Sequence, residues 1–428
     1  MTTQPAESRA NHGCPHRSLG AEFDPVVNAT SADPYLFFAR ARAEEPVFFC
    51  PAMNAWVVTR YEDVVAVLKA HGRFSSAGTF GGAFARTPEA QAILDSAGMP
   101  LFVSAVINTD PPEHGRLRAS VSRAFSARRM AVLEPSIRAL AERLVDGFIA
   151  MGRADFMSQF AASLPMQVIC RLLNVPEADA AKIQGWIDAY KDWLFVPLPP
   201  ERQIAHAREL IDFQRYVVDL LDQHRAHPQD DFICDLLHRI EAGEVALTTP
   251  ELVEMVAVLF LAGYETTRNA LSNCMIRLLS DRPLWAALCA DASLLPDVVE
   301  EAIRMDGIGF SVFRITTEAV ELGGASIPKH ALVLVMIASA SHDEAQFQDP
   351  ETFQPRRPNA SRHMGFGHGV HYCVGAPLAR LEMQVALDVL RTRVPDLRHV
   401  PDQALHYEPS AVMRSPLRLL LEWSPCVP

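Results

Sequence analysis

The sequence lacks several features that mark whole classes of protein. It contains no CxxC pair, and its 8 cysteines are scattered over 428 residues. Its longest apolar stretch lies near residues 255–263, far short of the roughly 20 residues that cross a bilayer. It has no excess of positive charge, because the formal net charge is −12. The N-terminal segment is polar and lacks the apolar stretch of a signal peptide.

Each of these absences argues against a class of protein. Scattered cysteines argue against a disulfide framework or a zinc ribbon and favour a reducing compartment. The negative charge argues against nucleic acid as a partner. Because neither a signal peptide nor a spanning segment is evident, we expect a cytoplasmic protein with no membrane partner.

The chain has enough apolar residues, 49% of its length, to bury a large core. The N-terminal residues 1–20 predict a loose tail. His12, Cys14 and His16 lie close together in this tail, and we interpret them as part of it.

The apolar pattern predicts a helix-dominated fold with small sheets. Helical periodicity dominates from His114 to about residue 295, with breaks at the prolines of 197–200 and at residues 226–231. Regular alternation of strands and helices is missing, so the fold class is mainly α, or α+β. Further predicted elements are a hairpin at residues 47–59, a helix at 62–70, strands at 320–322 and 331–337, and a helix at 376–391.

One predicted helix has a well-marked start. Thr248 and Glu251 have the spacing of a capping box, just before the apolar run 252–261. The pattern continues to Leu279, and Pro283 limits it. A helix of this length measures about 45 Å and would cross a whole domain.

The most informative segment is FGHGVHYCVG at residues 366–375. Gly367, Gly369 and Gly375 flank a single Cys373, and glycines let a backbone approach a flat ligand closely. The helix predicted to begin just after Cys373 would favour the thiolate, because its N-terminal end is positive.

Other interpretations of this segment stay open when it is taken alone. A single cysteine is often a small buried apolar residue. A zinc site with His363, His368 and His371 is an alternative, although their spacing matches no common zinc pattern. The closely spaced glycines resemble a nucleotide-binding loop, but the third glycine is not at the required spacing.

The segment resembles the FGxGxHxCxG signature of the cytochrome P450 superfamily at every fixed position. The resemblance implies that Cys373 is the axial ligand of haem b and that Phe366, Gly367 and Gly375 belong to the cofactor-binding loop. It also implies a helix-rich triangular prism with a buried haem, formed as a single domain by residues 21–428.

Three further segments appear in the order of the family: DPPEH at 110–114 followed by Arg118, AGYETT at 262–267, and EAIR at 301–304. His114 and Arg118 lie four residues apart on one helix face and suit haem propionates. The resemblance adds Arg314 and His371 to this clamp. The alternative is a surface pair.

The AGYETT segment interrupts an otherwise apolar helix. A glycine inside a helix costs roughly 1 kcal/mol relative to alanine, so we expect Ala262 and Gly263 to leave room for dioxygen. Glu265 and Thr266 pair an acid with an alcohol, which is typical of a proton relay. Thr266 can also bond back to a carbonyl group of its helix. The alternative is a solvent-facing acid and a core threonine.

Glu301 and Arg304 are expected to be structural, since the resemblance implies that they brace the loop before Cys373. Some positions depart from the family. The segment SASHD at residues 339–343 lies where relatives commonly have an Asn-Arg-Asp core, with Ser341 and His342 in place of Asn and Arg. Lys329 and His330 follow Pro328 where a glycine is usual.

The resemblance places a substrate pocket at residues 75–105, 185–200, 259–262, 308–313 and 411–413. The members that can be placed best are apolar, which predicts a hydrophobic substrate. They are Leu259, Ala262, Val312, Phe313 and Val412.

The implied reaction inserts one atom of O2 into a small organic substrate. No flavin or iron–sulfur segment is evident before the chain ends at Pro428, so we expect electrons from a separate ferredoxin and ferredoxin reductase. A basic cluster near the predicted clamp, Arg116, Arg123, Arg128 and Arg129, is a candidate docking surface. The alternatives are a peroxide-using haem-thiolate enzyme, a non-catalytic haem protein and a zinc hydrolase.

Overall fold

The computed structural model describes residues 18–31, 33–79, 86–98, 100, 105–307 and 309–424. Most of the predicted tail lies outside the described residues, as do parts of the pocket segment 75–105 and Ile308. Leu19 and Gly20, which the sequence placed in the tail, are buried, and Gly20 packs closely against the backbone of Phe49. The packed region therefore includes Leu19 and does not begin at residue 21.

Helices dominate the described part of the chain. The α-helices are α1 Pro25–Thr30, α2 Tyr35–Glu44, α3 Tyr61–Lys69, α4 Pro88–Asp95, α5 Glu113–Val121, α6 Ala127–Asp146, α7 Ser163–Leu172, α8 Ala180–Phe195, α9 Pro200–Ala226, α10 Phe232–Glu241, α11 Thr249–Ser280, α12 Arg282–Ala290, α13 Leu295–Met305, α14 Ile337–Ala340 and α15 Ala376–Arg393. The predicted breaks at the prolines and at residues 226–231 correspond to the ends of α8 and α9.

The strands of the described residues form three small sheets. They are β1 Val47–Cys50, β2 Ala55–Val58, β3 Phe74–Ser75, β4 Arg153–Asp155, β5 Val312–Thr316, β6 Val320–Leu322, β7 Ala325–Ile327, β8 Leu332–Val335, β9 Arg398–His399 and β10 Leu420–Glu422. The sheet orders are β1-β2-β8-β5-β3, β4-β10-β9 and β6-β7. The predicted hairpin is confirmed as β1 and β2, which pair antiparallel with Val47 opposite Val58.

The later strands differ in part from the prediction. β8 is shorter than the predicted segment, and it pairs with β2 in parallel and with β5 in antiparallel orientation. β6 pairs instead with β7, which the sequence analysis did not anticipate. Gly323 and Gly324 have φ values of 54° and 83° and form the turn of this hairpin, a conformation that glycine adopts without strain.

α11 crosses the largest hydrophobic cluster of the molecule. Its predicted capping box is present: Thr248 Oγ1 accepts a hydrogen bond from Glu251 N at 3.4 Å, and Glu251 Oε2 accepts one from Thr248 N at 2.8 Å. Nearly all side chains from Leu252 to Met275 are buried. A helix buried on most sides provides a rigid base for a site at its centre. No helix in the described ranges is both long and apolar enough to cross a membrane.

Candidate active site

Cys373 lies between a short 3-10 segment, Gly369–His371, and the first turn of α15. Its backbone N–H donates to Phe366 O at 2.9 Å, which closes the loop that carries the cysteine. Phe366 is buried, and the guanidinium carbon of Arg380 lies 4.5 Å from its ring centroid. The loop is therefore held on the side of α15.

Two glycines of this loop have backbone conformations that other residues rarely adopt. Gly367 and Gly369 have φ values of 70° and 71°. A Cβ at Gly369 would also lie 2.6 Å from Leu68 O of α3, which is too close. Gly375 differs, because its φ of −82° is ordinary and it precedes α15 as the N-cap.

Cys373 is an exposed residue, whereas Cys50, Cys170 and Cys274 are buried. Protein atoms nevertheless surround it, and this burial raises the pKa of the Cys373 thiol. The backbone N–H groups at the start of α15 and the positive charge of Arg118 act in the opposite direction. These groups stabilise the thiolate form of Cys373 once a metal ion binds its sulfur.

The four basic side chains of the predicted clamp, His114, Arg118, Arg314 and His371, lie near one another. The rings of His114 and His371 lie 4.3 Å apart, centroid to centroid. Burial, with the charges of Arg314 and His114, lowers the pKa of His371 to about 3. Burial also lowers the pKa of Arg314 to about 10, and Arg118 is half-buried.

These basic groups have few partners of their own. Arg314 Nη1 donates to Phe313 O at 2.7 Å, and within the described ranges its guanidinium has no carboxylate within salt-bridge distance. His114 Nε2 is buried and has no hydrogen-bond partner among the described residues. Buried cations and donors without partners are costly unless an anion satisfies them. The residues present therefore fit a flat cofactor that brings a metal to the thiol and carboxylates to the basic side chains.

The middle of α11 carries a stripe of accessible surface. Val258, Ala262, Gly263 and Thr266 are accessible, although their neighbours along the helix are buried. Val258, Ala262 and Thr266 follow one another at intervals of four residues, which places these three on one face of the helix. Thr266 Oγ1 donates to Ala262 O at 2.6 Å, which is the predicted bond back to the helix.

The packing of α11 gives a structural reason for glycine at position 263, which the sequence alone did not indicate. A Cβ at this position would lie 3.0 Å from Ile169 Cδ1 of α7. Close packing of α7 against α11 therefore already favours glycine here. The expectation that Gly263 leaves room for dioxygen stays a prediction.

Glu265 lies on another side of α11 and is completely buried. Its Oε1 accepts hydrogen bonds from Arg268 Nη2 at 3.0 Å and from Asn269 Nδ2 at 3.3 Å. Its Oε2 is buried and has no partner in the described part of the chain. The alternative of a solvent-facing acid is therefore wrong.

Glu265 belongs to a buried charge cluster. Arg268 Nη2 also donates to Glu408 Oε1 at 2.9 Å, and Lys191 Nζ donates to Glu408 Oε2 at 2.8 Å. Burial raises the pKa of the nearby Asp188 carboxyl to about 6. Glu408 is partly exposed, with 18% of its side-chain surface accessible, whereas Glu265 is completely buried. Glu265 thus connects to the surface through other ionisable groups.

Lys191 and Glu408 were not among the residues predicted from the sequence. Lys191 lies on α8, and Glu408 lies in the loop before β10. Both are far from Glu265 along the chain, so no local spacing could have connected the three residues. Only the packing of α8 and of the C-terminal loop against α11 brings them together.

The predicted pocket residues are only partly brought together. Phe313 and Val412 belong to one hydrophobic cluster. Val312 precedes Phe313 in β5 and packs against a different cluster, because successive strand residues point to opposite faces. Leu259 is buried in the main cluster, and its neighbour Val258 is accessible instead. The sequence could have indicated Val258, since it lies four residues before Ala262.

Glu301 and Arg304 form a fully buried pair. Arg304 donates to both Glu301 oxygens, at 2.8 and 2.9 Å, and also to Ser341 O and Pro350 O. A second buried arginine, Arg357, donates to Glu301 Oε1 at 3.0 Å. The pair thus fixes residues 341–357, upstream of the cysteine loop. The adjacent Arg356 is exposed, so sequence alone does not single out Arg357.

The departures from the family pattern are integrated into the core. His342 is buried, stacks on Tyr35 at 3.8 Å between centroids, and bonds Met305 O and Glu351 Oε1 at 2.6 and 2.8 Å. Ser341 is also buried, and its Oγ donates to Ile337 O at 3.0 Å and accepts from Met364 N at 3.0 Å.

Comparisons with known proteins agree with this arrangement. A family model described as Cytochrome P450 matches residues 48–392. The chain is 37% identical over 413 residues to the cytochrome P450 monooxygenase PikC of Streptomyces venezuelae, covering 95% of this chain and 93% of that protein. It is 36% identical over 375 residues to the mycinamicin IV hydroxylase/epoxidase of Micromonospora griseorubida, covering 86% of this chain and 90% of that enzyme. The crystal structure of the Tepidiphilus thermophilus P450 heme domain matches with a TM-score of 0.89 and 33% identity, over 95% of this chain and 98% of that one.

The fold and the comparisons together define a helical haem-dependent oxygenase with small sheets. The chain belongs to the cytochrome P450 family. It is a cytochrome P450 monooxygenase with haem, iron protoporphyrin IX, as its cofactor, and it acts on a small substrate with O2. The predicted family, fold class, enzyme class and cofactor are confirmed, and the zinc and nucleotide-binding interpretations of residues 366–375 lose their support.

Proposed function

We propose that Cys373 is the thiolate ligand of the haem iron in an enzyme that hydroxylates or epoxidises a hydrophobic small molecule. The observation that carries this proposal is the position of the Cys373 thiol. Cys373 is an exposed residue, it precedes the first turn of α15, and it lies beside basic groups that have no carboxylate partner among the described residues. The haem supplies the activation of O2 when it is bound.

His114, Arg118, Arg314 and His371 hold the haem propionates. The partnerless Nε2 of His114 and the buried guanidinium of Arg314 support this role. Charge-assisted hydrogen bonds to propionates would satisfy both groups. Phe366, Gly367 and Gly375 shape the loop against the cofactor.

Thr266 and Glu265 deliver protons to the reacting dioxygen. Insertion of one oxygen atom releases the other as water, which consumes two electrons and two protons. The hydroxyl of Thr266 lies on the accessible stripe of α11, where it can bind a water or an oxygen species. Glu265 lies in the buried charge cluster, so protons pass from Glu408 and its neighbours toward Glu265 before they reach Thr266.

The substrate is an apolar small molecule. The accessible stripe on α11 includes Val258 and Ala262, and the predicted lining residues Leu259, Val312, Phe313 and Val412 are apolar. Apolar lining with few polar anchors is typical of small-molecule sites. A compound library screened for substrate-induced changes in the haem spectrum identifies the class, and substitution of Val258 by Phe should shift the set of compounds that bind.

Separate ferredoxin and ferredoxin reductase proteins supply the electrons. The docking surface is a basic patch formed by Arg123, Arg128 and Arg129, of which the first two are exposed. Phe125 lies in the same 3-10 segment as Arg123, and a Cβ at Gly375 would lie 3.9 Å from its ring. The patch is therefore next to the Cys373 loop.

Arg116, which the sequence analysis placed in this patch, has other partners. It forms ion pairs with Glu251 at 2.5 Å and with Glu113 at 3.0 Å. Its charge is compensated, so the patch proposed here excludes it.

The rate of haem reduction by a ferredoxin, measured against ionic strength, tests the docking surface. Arg123→Glu should slow reduction and weaken its salt dependence, because salt screens attraction between exposed charges. Arg208→Glu, at an exposed position on α9, is the matched control and should leave both unchanged. Equal effects of the two substitutions would remove the patch from the proposal.

Isotope incorporation tests the reaction itself. With ferredoxin, reductase and NAD(P)H, the product should carry oxygen from labelled O2. Hydrogen peroxide alone should support little turnover. Equal or faster turnover with peroxide would favour the alternative of a peroxide-using enzyme.

The pairing state of the cysteines indicates the cellular compartment in which the protein works. The six cysteines in the described part of the chain are all unpaired, which supports a reducing, cytoplasmic compartment.

A further inference from the structure

Three metal-ligating side chains meet where α9 ends and α10 begins, away from the Cys373 loop. His224 lies in the last turn of α9, Asp231 is the N-cap of α10, and Cys234 lies in its first turn. Their ligand atoms all lie within 4.8 Å of one another. His224 and Asp231 are buried, and Cys234 is half-buried.

The hydrogen bonds of His224 leave one ring nitrogen free. Nδ1 lies 2.8 Å from Leu220 O, and a carbonyl oxygen only accepts, so Nδ1 carries the proton. Nε2 is buried and has no hydrogen-bond partner among the described residues. It points toward Asp231 Oδ2 at 3.4 Å, longer than an ordinary hydrogen bond. A histidine held this way, with Nδ1–H on a carbonyl group, has the form seen in metal-binding histidines.

Asp231 and Cys234 are also oriented by their neighbours. Asp231 Oδ1 accepts from Cys234 N at 2.8 Å, and Asp231 Oδ2 accepts from Asn174 Nδ2 at 3.1 Å. Cys234 Sγ accepts from Gln229 N at 3.2 Å. Both the carboxylate and the sulfur therefore already have supporting donors, and each keeps a lone pair for a cation.

We propose that His224, Asp231 and Cys234 form a zinc site that joins the end of α9 to the start of α10. Nitrogen, carboxylate oxygen and thiolate are the ligand types that Zn²⁺ accepts together. Two ligands about 2.1 Å from a tetrahedral Zn²⁺ lie about 3.4 Å apart, which is the separation of His224 Nε2 and Asp231 Oδ2. A water completes the tetrahedron on the accessible side of Cys234, and the thiol releases its proton to solvent when the metal binds.

The geometry also explains the free ring nitrogen. A buried Nε2 without a partner is unfavourable, and the cation satisfies it. Burial and the nearby Asp231 charge raise the pKa of the Cys234 thiol, and a cation between the two groups would offset that repulsion.

Alkylation of individual cysteines tests the site in the haem-loaded full chain. The protein is stripped with a chelator, treated with one equivalent of Zn²⁺ and labelled with iodoacetamide, and the labelled peptides are quantified by mass spectrometry. Zn²⁺ should slow labelling of Cys234 at least about tenfold, and it should leave the half-buried Cys289 unchanged. Unchanged labelling of Cys234, or equal protection of Cys289 or Cys14, would overturn the proposal.

Two variants separate metal binding from folding. Asp231→Asn keeps the N-cap, because asparagine caps helices as well as aspartate does, but it should weaken zinc at least about tenfold in a chelator competition. His224→Gln should abolish protection of Cys234. His238→Gln, at an exposed position of α10, is the matched control and should keep it. Wild-type zinc affinity in Asp231→Asn would contradict the assignment.

Discussion

The side chains of Glu265 and Thr266 leave α11 in different directions although the residues are adjacent. Thr266 Oγ1 lies 2.6 Å from Ala262 O on the accessible stripe of the helix. The carboxylate of Glu265 is buried, with Arg268 Nη2 at 3.0 Å. Consecutive residues are about 100° apart around a helix. Proton transfer from Glu265 to Thr266 therefore needs a water or a rotation of the Glu265 side chain.

Replacement of Thr266 tests the accessible end of this relay. Thr266→Ala should still bind haem and substrate and consume NAD(P)H. It should release more hydrogen peroxide and less product, because the hydroxyl that positions the proton is lost. The measurement is product formed per NAD(P)H consumed, with peroxide assayed in parallel. Thr266→Ser keeps the hydroxyl and should couple nearly as well as wild type. If Thr266→Ala is equally well coupled, Thr266 has no part in the relay and its hydroxyl serves only the helix, through the bond to Ala262 O.

Replacement of Glu265 tests the buried end. Glu265→Gln keeps the shape of the side chain but removes the acid. A positioned acid typically contributes 10²–10⁴-fold to a proton-transfer step, so turnover should fall by about that factor and the solvent isotope effect should rise. A role limited to packing would leave the isotope effect unchanged. Turnover in H2O and D2O at saturating substrate distinguishes the two results.

The basic groups near Cys373 should control haem retention. Arg314→Met removes a cation that has no carboxylate partner in the part of the chain that the structure describes. Loss of a hydrogen bond to a charged group costs about 1.5–3 kcal/mol, so haem should dissociate about 10- to 100-fold faster. Transfer of haem to an acceptor apoprotein measures the rate.

His114→Phe should act in the same direction as Arg314→Met. Arg73→Met is the control, because Arg73 forms an exposed ion pair with Glu318. Dissociation at the wild-type rate in both Arg314→Met and His114→Phe would remove these residues from the clamp.

The Glu301 cluster should control stability. Glu301→Gln leaves the buried guanidinium groups of Arg304 and Arg357 without a negative partner. Breaking a buried ion pair costs about 3–5 kcal/mol, so the free energy of unfolding in urea should fall by that amount. Glu318→Gln removes an exposed pair and should cost about 0–1 kcal/mol. Similar losses in the two variants would contradict the structural role of Glu301.

Local sequence signals predicted much of the fold. The capping box at Thr248 gives the start of α11, and Pro200 lies at the start of α9. The hairpin of β1 and β2 follows from two β-rich segments around a short turn. These elements depend on interactions between residues close in sequence, so their patterns are visible without a structure.

Long-range contacts were not predictable in the same way. The strands β4, β9 and β10 are two or three residues long, and β10 pairs with β4 from the first half of the chain as well as with β9. Only the packing of the helices against one another and against the loops brings Arg357, Lys191 and Glu408 into contact with their partners. Such residues carry no periodic or spacing signal. In contrast, the position of Val258 follows from helical periodicity once Ala262 is placed on the accessible face.

The absorption spectrum of the reduced, carbon monoxide-bound protein tests the central proposal most directly. If Cys373 is the axial ligand, wild type should show the red-shifted Soret band of thiolate-ligated haem, and Cys373→Ala should lose it. Cys289→Ala, at a half-buried cysteine outside the loop, should keep the wild-type spectrum. A Cys373→Ala protein that retains the red-shifted band would contradict the assignment of Cys373 as the iron ligand.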